Sequence, residues 1–287
     1  MTVEFFNVPY FIFIIVGFGF IVLMHFLLRN KSDKTKKLVI FGLLLFNFAL
    51  HFLKLLFAPY NENFENGLNE IFLTNICAVS VVVFPFIFLS KSNDAKDFMF
   101  YLGVLSGGLA LLIPTEALGE YVWQFDLFRF YIAHLIIIAA PLLMVTTKIH
   151  KINYRRIWKM PIYIIIYLMF IMVNQIIQSE IGLTDLRNDN FLDPNYSNPS
   201  LFWKYNESPL FLVFDIFTPE FLKTVPFGDF AGETKYLPLI WMIPSLTIYF
   251  LVLPFIISLF FEFKKIKQDV INIVLKIKKR FKHNNNN

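Results

Sequence analysis

Ile71-Phe72-Leu73-Thr74-Asn75-Ile76-Cys77 opens an apolar run that continues to Leu89. About 18 apolar residues suffice to cross a bilayer, so the run is long enough to span one. It carries the one cysteine of the 287-residue chain, with a carboxamide two residues before it. An amide and a thiol among Val, Ile, Phe and Leu mark a polar corner in an otherwise lipid-soluble segment. Further runs predict spans at about 10–28, 38–58, 98–113, 126–147, 160–178 and 237–263. Apolar residues make up 57% of the chain, at a mean hydropathy of +0.60. Soluble domains run near 45–50%, so the excess needs lipid to hide in. The expectation is an all-α polytopic membrane protein with seven transmembrane helices. The first run lacks a basic leader and a small-residue cleavage site, which predicts a retained helix.

Charge placement tests that count. Lys and Arg number 26 against 21 Asp and Glu, a formal charge of +5. With seven alternating spans, 20 of the 26 cations fall in the loops at 29–37, 91–97 and 148–159 and in the tail from Lys264. Short basic loops stay in the cytoplasm, which predicts the amino terminus outside and the carboxyl terminus cytoplasmic. The surplus charge is thus a topology signal, and nucleic acid is excluded as a partner. Membrane lipids are the expected partners, and the expected location is the cell membrane, multi-pass.

Two segments lie outside the spans. The outer loop at 179–236 contains a short apolar run around Leu210 to Ile216, too short to cross, which predicts either a cap on the outer leaflet or a loop packed on itself. Residues 264–287 form a basic tail in which Ile266, Val270, Ile273, Val274, Ile277 and Phe281 recur at helical spacing. The seven-helix domain is accordingly expected over 1–263. Pro238, Pro244 and Pro254 are expected to bend the last span.

Ionisable groups inside a span are costly and mark candidate sites. Here they are His51, Lys54, Arg129 and His134, with Thr74, Asn75, Asn174 and Gln175 as polar company. At a rise of about 1.5 Å per residue, Cys77, His51 and His134 fall about 9–12 Å below the outer face. That shared layer predicts a pocket. Cys77 and His134 are the candidate catalytic pair, a nucleophile with its base. Asn174, Asn75, Thr74 and His51 are candidates for stabilising an oxyanion or positioning substrate. Lys54 and Arg129 lie nearer the headgroups and are candidates for holding a phosphate. A metal is not expected, because two His and one Cys without a nearby carboxylate make a poor ligand set. No cofactor is expected. Each residue also has an ordinary explanation: a packed thiol, core histidines, cations that reach the headgroups, and a helix pair of Asp126 with Arg129.

Phe130-Tyr131-Ile132-Ala133-His134 is similar to the Phe-Phe-x-x-His pattern of the YwaF-like integral membrane proteins, bacterial relatives of an animal transmembrane acyltransferase family. Asn174 looks like that family's Asn late in the sixth span. The opening of the third span resembles the bacterial Leu-Pro-Leu-His-Leu-Cys, with Leu73 in place of the Pro and Asn75 in place of the His. The animal relatives carry their acyl-bearing Cys at the position of Thr74. The resemblance covers nearly the whole chain and implies seven spans with Cys77 and His134 as family positions. A lipid acyltransferase or acyl hydrolase is the function it favours. The alternative is a binding or transport protein that uses the same pocket for a small solute.

Overall fold

The computed structural model describes residues 1–58, 60–62, 71–182, 209–234 and 239–284. The described residues form an all-α bundle, with two isolated β-bridges. Its helices are α1 (Val8–Leu28), α2 (Asp33–Leu53), α3 (Ile76–Leu89), α4 (Asn93–Leu102), α5 (Gly108–Leu112), α6 (Phe125–Thr146), α7 (Met160–Glu180), α8 (Pro209–Asp215) and α9 (Ile243–Asn284). Polar caps set several of the starts. Asn7, Ser32, Asn75 and Ser92 each accept a hydrogen bond from the backbone at the head of the next helix. Such caps satisfy N–H groups that have no partner within the helix.

Helix α6 is the axis of the bundle, and α1, α2, α3 and the α4–α5 unit pack around it. It comes close to a π-helical segment, Gly103–Gly107, between α4 and α5. A β-carbon at Gly103 would lie 2.5 Å from the Ile137 carbonyl oxygen. Pro141, four residues beyond Ile137, has no N–H to give that oxygen, and the glycine backbone packs against it instead. Helix α1 sits at the edge. Phe13 stacks on Tyr131 at 4.0 Å, while Phe11, Ile15, Val16 and Val22 face outward. Apolar side chains on an outer face are in place when lipid is the solvent.

Among the described residues, six helical stretches are long and apolar enough to cross a membrane, as expected of a polytopic membrane protein. The third expected span differs. Helix begins at Ile76, five residues later than the apolar run, and α3 has 14 residues. That is about 21 Å of helix, short of the roughly 30 Å hydrocarbon core. The last helix also differs from expectation. Backbone torsions stay helical through Pro254, and the break falls at Glu262, with φ −125° and ψ 19°. Glu262 is buried, accepts from the Tyr154 N–H at 2.5 Å and pairs with Lys265 at 3.0 Å. Both contacts sit at the break. Of the 179–236 loop, the described part docks on the start of α9, where Thr218 Oγ1 donates to the Trp241 carbonyl at 3.1 Å. Phe214 and Leu222 join the same core as the edge of α3. Leu201 to Ser208, Pro238 and much of the remaining loop lie outside the described residues.

Candidate functional site

The five residues before α3 are half-buried, apart from exposed Asn75, and their backbone needs hydrogen-bond partners wherever water is kept out. Their carbonyls are met by side chains from other helices. His51 Nε2 on α2 lies 2.8 Å from the Ile71 oxygen. On α7, Asn174 Nδ2 donates to Leu73 O at 3.3 Å, and Gln175 Nε2 to Thr74 O at 3.5 Å. The Thr74 N–H closes a tight turn on Phe72 O at 2.8 Å. Asn75 Oδ1 then caps the helix, accepting from Ala78 N at 2.8 Å. Four of the eight residues expected to serve chemistry therefore share one structural task. His51, Asn174, Asn75 and the Thr74 backbone hold open the entry to α3.

That entry places Cys77 in the first turn of α3, partly buried. Among the described residues its sulfur makes no hydrogen bond, and neither does its N–H or that of Ile76. Glu116 acts on Cys77 electrostatically, and Tyr167 lies near it. Tyr167 donates to Ser80, one turn along the same helix, at 3.0 Å.

His134 sits on the buried face of α6, 8% exposed, with Phe130 4.3 Å from its ring. Its Nδ1 lies 2.8 Å from the Phe130 carbonyl oxygen. A carbonyl only accepts, so Nδ1 carries the proton. In the neutral ring Nε2 then holds a lone pair, and it has no hydrogen-bond partner among the described residues. Helices α3 and α6 pack directly, but no hydrogen bond joins the Cys77 sulfur to the His134 ring. Their helices are in contact, and the two side chains are not bonded to one another.

The expected phosphate-holding pair is engaged elsewhere. Arg129 Nε donates to Asp126 at 2.7 Å, and its Nη2 to the Tyr60 hydroxyl at 2.9 Å. Tyr60 in turn donates to Asp126 at 2.5 Å. Lys54 is 3% exposed, with its ammonium 5.0 Å from the Tyr60 ring centroid. Both cations act on His51, and Arg129 acts on His134. Arg129 is thus held by Asp126 and Tyr60, and the Lys54 ammonium lies over the Tyr60 ring. The Asp126–Arg129 spacing announced half of this cluster; Tyr60, more than sixty residues away, carried no signal. Gln178, fully buried on α7 one turn past Asn174, has neither amide atom bonded among the described residues. Among the described residues no three His, Cys, Asp or Glu side chains come together as metal ligands.

A helical bundle with polar side chains around a broken crossing defines an integral, multi-pass membrane protein. The chain belongs to the TMEM164 family, whose model matches residues 4–219. The match contains every candidate residue above and ends before α9. No curated protein and no solved structure matches the chain.

Proposed function

We propose that this protein is a seven-crossing lipid acyltransferase or acyl hydrolase of the cell membrane, with the Cys77 end of the bundle facing outward. The observation that supports this most is the state of His134. Its proton is fixed on Nδ1, which leaves the Nε2 lone pair as a base on the helix that packs against the Cys77 helix. In the reading, His134 Nε2 takes the thiol proton as Sγ attacks an ester carbonyl. The negative oxygen that develops meets the unbonded N–H groups of Ile76 and Cys77 at the head of α3. The ester C–O bond breaks, the leaving alcohol takes the proton from His134, and the acyl group remains as a thioester. A second alcohol, or water, attacks the thioester while His134 accepts its proton, and sulfur recovers that proton as the thiol leaves. Substrate binding must shorten the sulfur–imidazole separation, as catalytic contacts often tighten only in the complex. The resemblance of Phe130 to His134 to the YwaF-like pattern favours the same pair.

The test is covalent capture. Vesicles bearing the wild type, Cys77→Ala and His134→Gln are given an activated ester of a long-chain fatty acid, and protein-bound thioester is measured. Labelling in the wild type alone supports the reading. Equal labelling in all three removes it.

A second reading rests on a different observation. The entry to α3 is a non-helical stretch ending in a helix terminus, an arrangement that secondary transporters use to hold solutes. A transporter would move a small polar solute across vesicles and tolerate Cys77→Ala. Flux that persists in that variant would favour this reading over the enzyme.

A further inference from the structure

At the Leu89 end of the bundle, about 18 Å along α3 from Cys77, lies a cleft of about 610 Å³. Four lysines from three segments line it: Lys34 and Lys37 on α2, Lys91 in the α3–α4 turn and Lys96 on α4. Lys37 and Lys96 are close enough to repel one another. Nearby carboxylates are already engaged. Asp33 pairs with Lys36, Asp94 with Arg156 and Lys159, and Asp97 with His150 and Arg156. None of the four cleft lysines has a carboxylate partner among the described residues. A topology signal asks only that basic residues lie on one side of the membrane; it does not ask that cations from separate segments converge on one cleft against their own repulsion. The other wall is apolar. Phe41 and Phe88 stack with centroids 6.4 Å apart, and Leu38 and Leu89 continue outward as exposed lipid-facing residues. A cleft of this volume holds a ligand of headgroup size.

We propose that this cleft binds the phosphate-bearing headgroup of an anionic membrane lipid, with the lysines around the phosphate and the lipid chains along Leu38, Phe41 and Leu89. The phosphate supplies the missing negative charge. The apolar wall favours a lipid over a free phosphate, because a soluble anion leaves that wall unmatched. The site is separate from Cys77 and His134 and does not depend on their chemistry.

The full chain, purified in detergent, is exposed to phosphatidylglycerol and phosphatidylcholine with matched acyl chains, and bound lipid is counted by native mass spectrometry. The wild type retains the anionic lipid at least tenfold over the zwitterionic one. Combined Lys37→Gln, Lys91→Gln and Lys96→Gln lowers affinity for the anionic lipid about a hundredfold. Lys264→Gln, Lys267→Gln and Lys276→Gln remove the same charge from the tail and leave retention unchanged. Melting curves verify that each variant is folded, and exposed Lys91→Gln alone, losing several-fold, serves if the triple variant does not fold. Glycerol phosphate in millimolar excess does not displace the lipid. Equal retention in the wild type and the cleft variants overturns the proposal, as does an equal loss in the tail variant. Displacement by glycerol phosphate overturns the lipid assignment, since the anion alone would then suffice.

Discussion

The His51 imidazole, through Nε2, binds the carbonyl of Ile71, a residue twenty positions later, at 2.8 Å. This bond ties α2 to the irregular strand that leads into α3. Without it the Ile71 oxygen, on a half-buried residue, loses its protein partner. An unsatisfied buried acceptor costs about 1–3 kcal/mol, and 1 kcal/mol shifts the Tm of a chain this size by about 2–4 °C. His51→Ala should therefore lower the Tm in detergent by several degrees. It should also raise the rate at which maleimide labels Cys77, because the entry to α3 loosens. His51→Gln keeps a donor and should recover much of both. If melting and labelling are unchanged in the alanine variant, the strand holds itself and the bond is incidental.

Gly107 makes a second prediction about the same layer. A β-carbon there would stand 3.0 Å from the His134 carbonyl oxygen and 3.1 Å from the Ile138 nitrogen. Backbone atoms cannot retract as a flexible side chain can, so Gly107→Ala must push α6 away. Overpacking of this kind costs about 1–3 kcal/mol. At Gly108 the nearest atom is a side-chain methyl, 3.7 Å away. Gly108→Ala should leave the Tm within a degree or two, and the pair of variants separates a close helix contact from a general dislike of alanine in this segment.

Much of this architecture is legible in the chain because lipid imposes simple rules. Apolar length marks the long helices of a polytopic membrane protein. The errors have local causes. Phe72 and Leu73 are as apolar as the helix they precede, so hydropathy does not mark them as non-helical. Asn75 signals the boundary, as an Asn directly before an apolar run is a common cap, and its side chain serves that cap. Torsions stay helical at Pro254, while the break falls at Glu262, whose backbone partner Tyr154 is distant in sequence. For the candidate site, the residue types inside the spans point to His51, Asn174 and Gln175, which the structure places on backbone carbonyls before α3. Their partners were not legible: the amides of Asn174 and Gln175 meet backbone carbonyls, which leave no trace in residue type.

The cluster around Asp97 is a further case. Its carboxylate is fully buried, 2.6 Å from His150 Nε2 and 2.6 Å from Arg156 Nε. The three residues come from the start of α4 and from the turn after α6. Removing one member of a buried ion pair costs about 3–5 kcal/mol, because the remaining charge is stranded. Arg156 keeps a contact to Asp94 at 3.5 Å, so Asp97→Asn should fall at the lower end, a Tm loss on the order of 10 °C. Lys159→Gln removes an outer member of the cluster and should cost far less, as exposed pairs contribute little. A loss for Asp97→Asn no greater than for Lys159→Gln would show that the buried carboxylate does not organise this end of the bundle.

Beyond the break at Glu262, the tail is fastened to the turn after α6 by Asp269. Arg155 binds that carboxylate through Nη2 at 2.7 Å and Nε at 3.1 Å, and the Tyr154 hydroxyl donates to it as well. The Arg155 hydrogen bonds, then the one from Tyr154, hold the Asp269 carboxyl below its ordinary range. A group whose pKa falls on docking binds more protons when the tail is free. Docking is therefore favoured above the ordinary carboxylate value, near pH 4, and weakens as pH drops through it toward the lower docked value. Spin labels placed at Lys151→Cys and Lys276→Cys in a Cys77→Ser background should give one narrow distance at pH 6. Below pH 4 the distribution should broaden, while a control pair across α2 and α6 stays narrow. Asp269→Asn should be broad at both values, and high salt should broaden the wild type, since Arg155 is largely exposed. A narrow distance in Asp269→Asn at pH 6 would mean that Glu262 and Lys265 fasten the tail on their own.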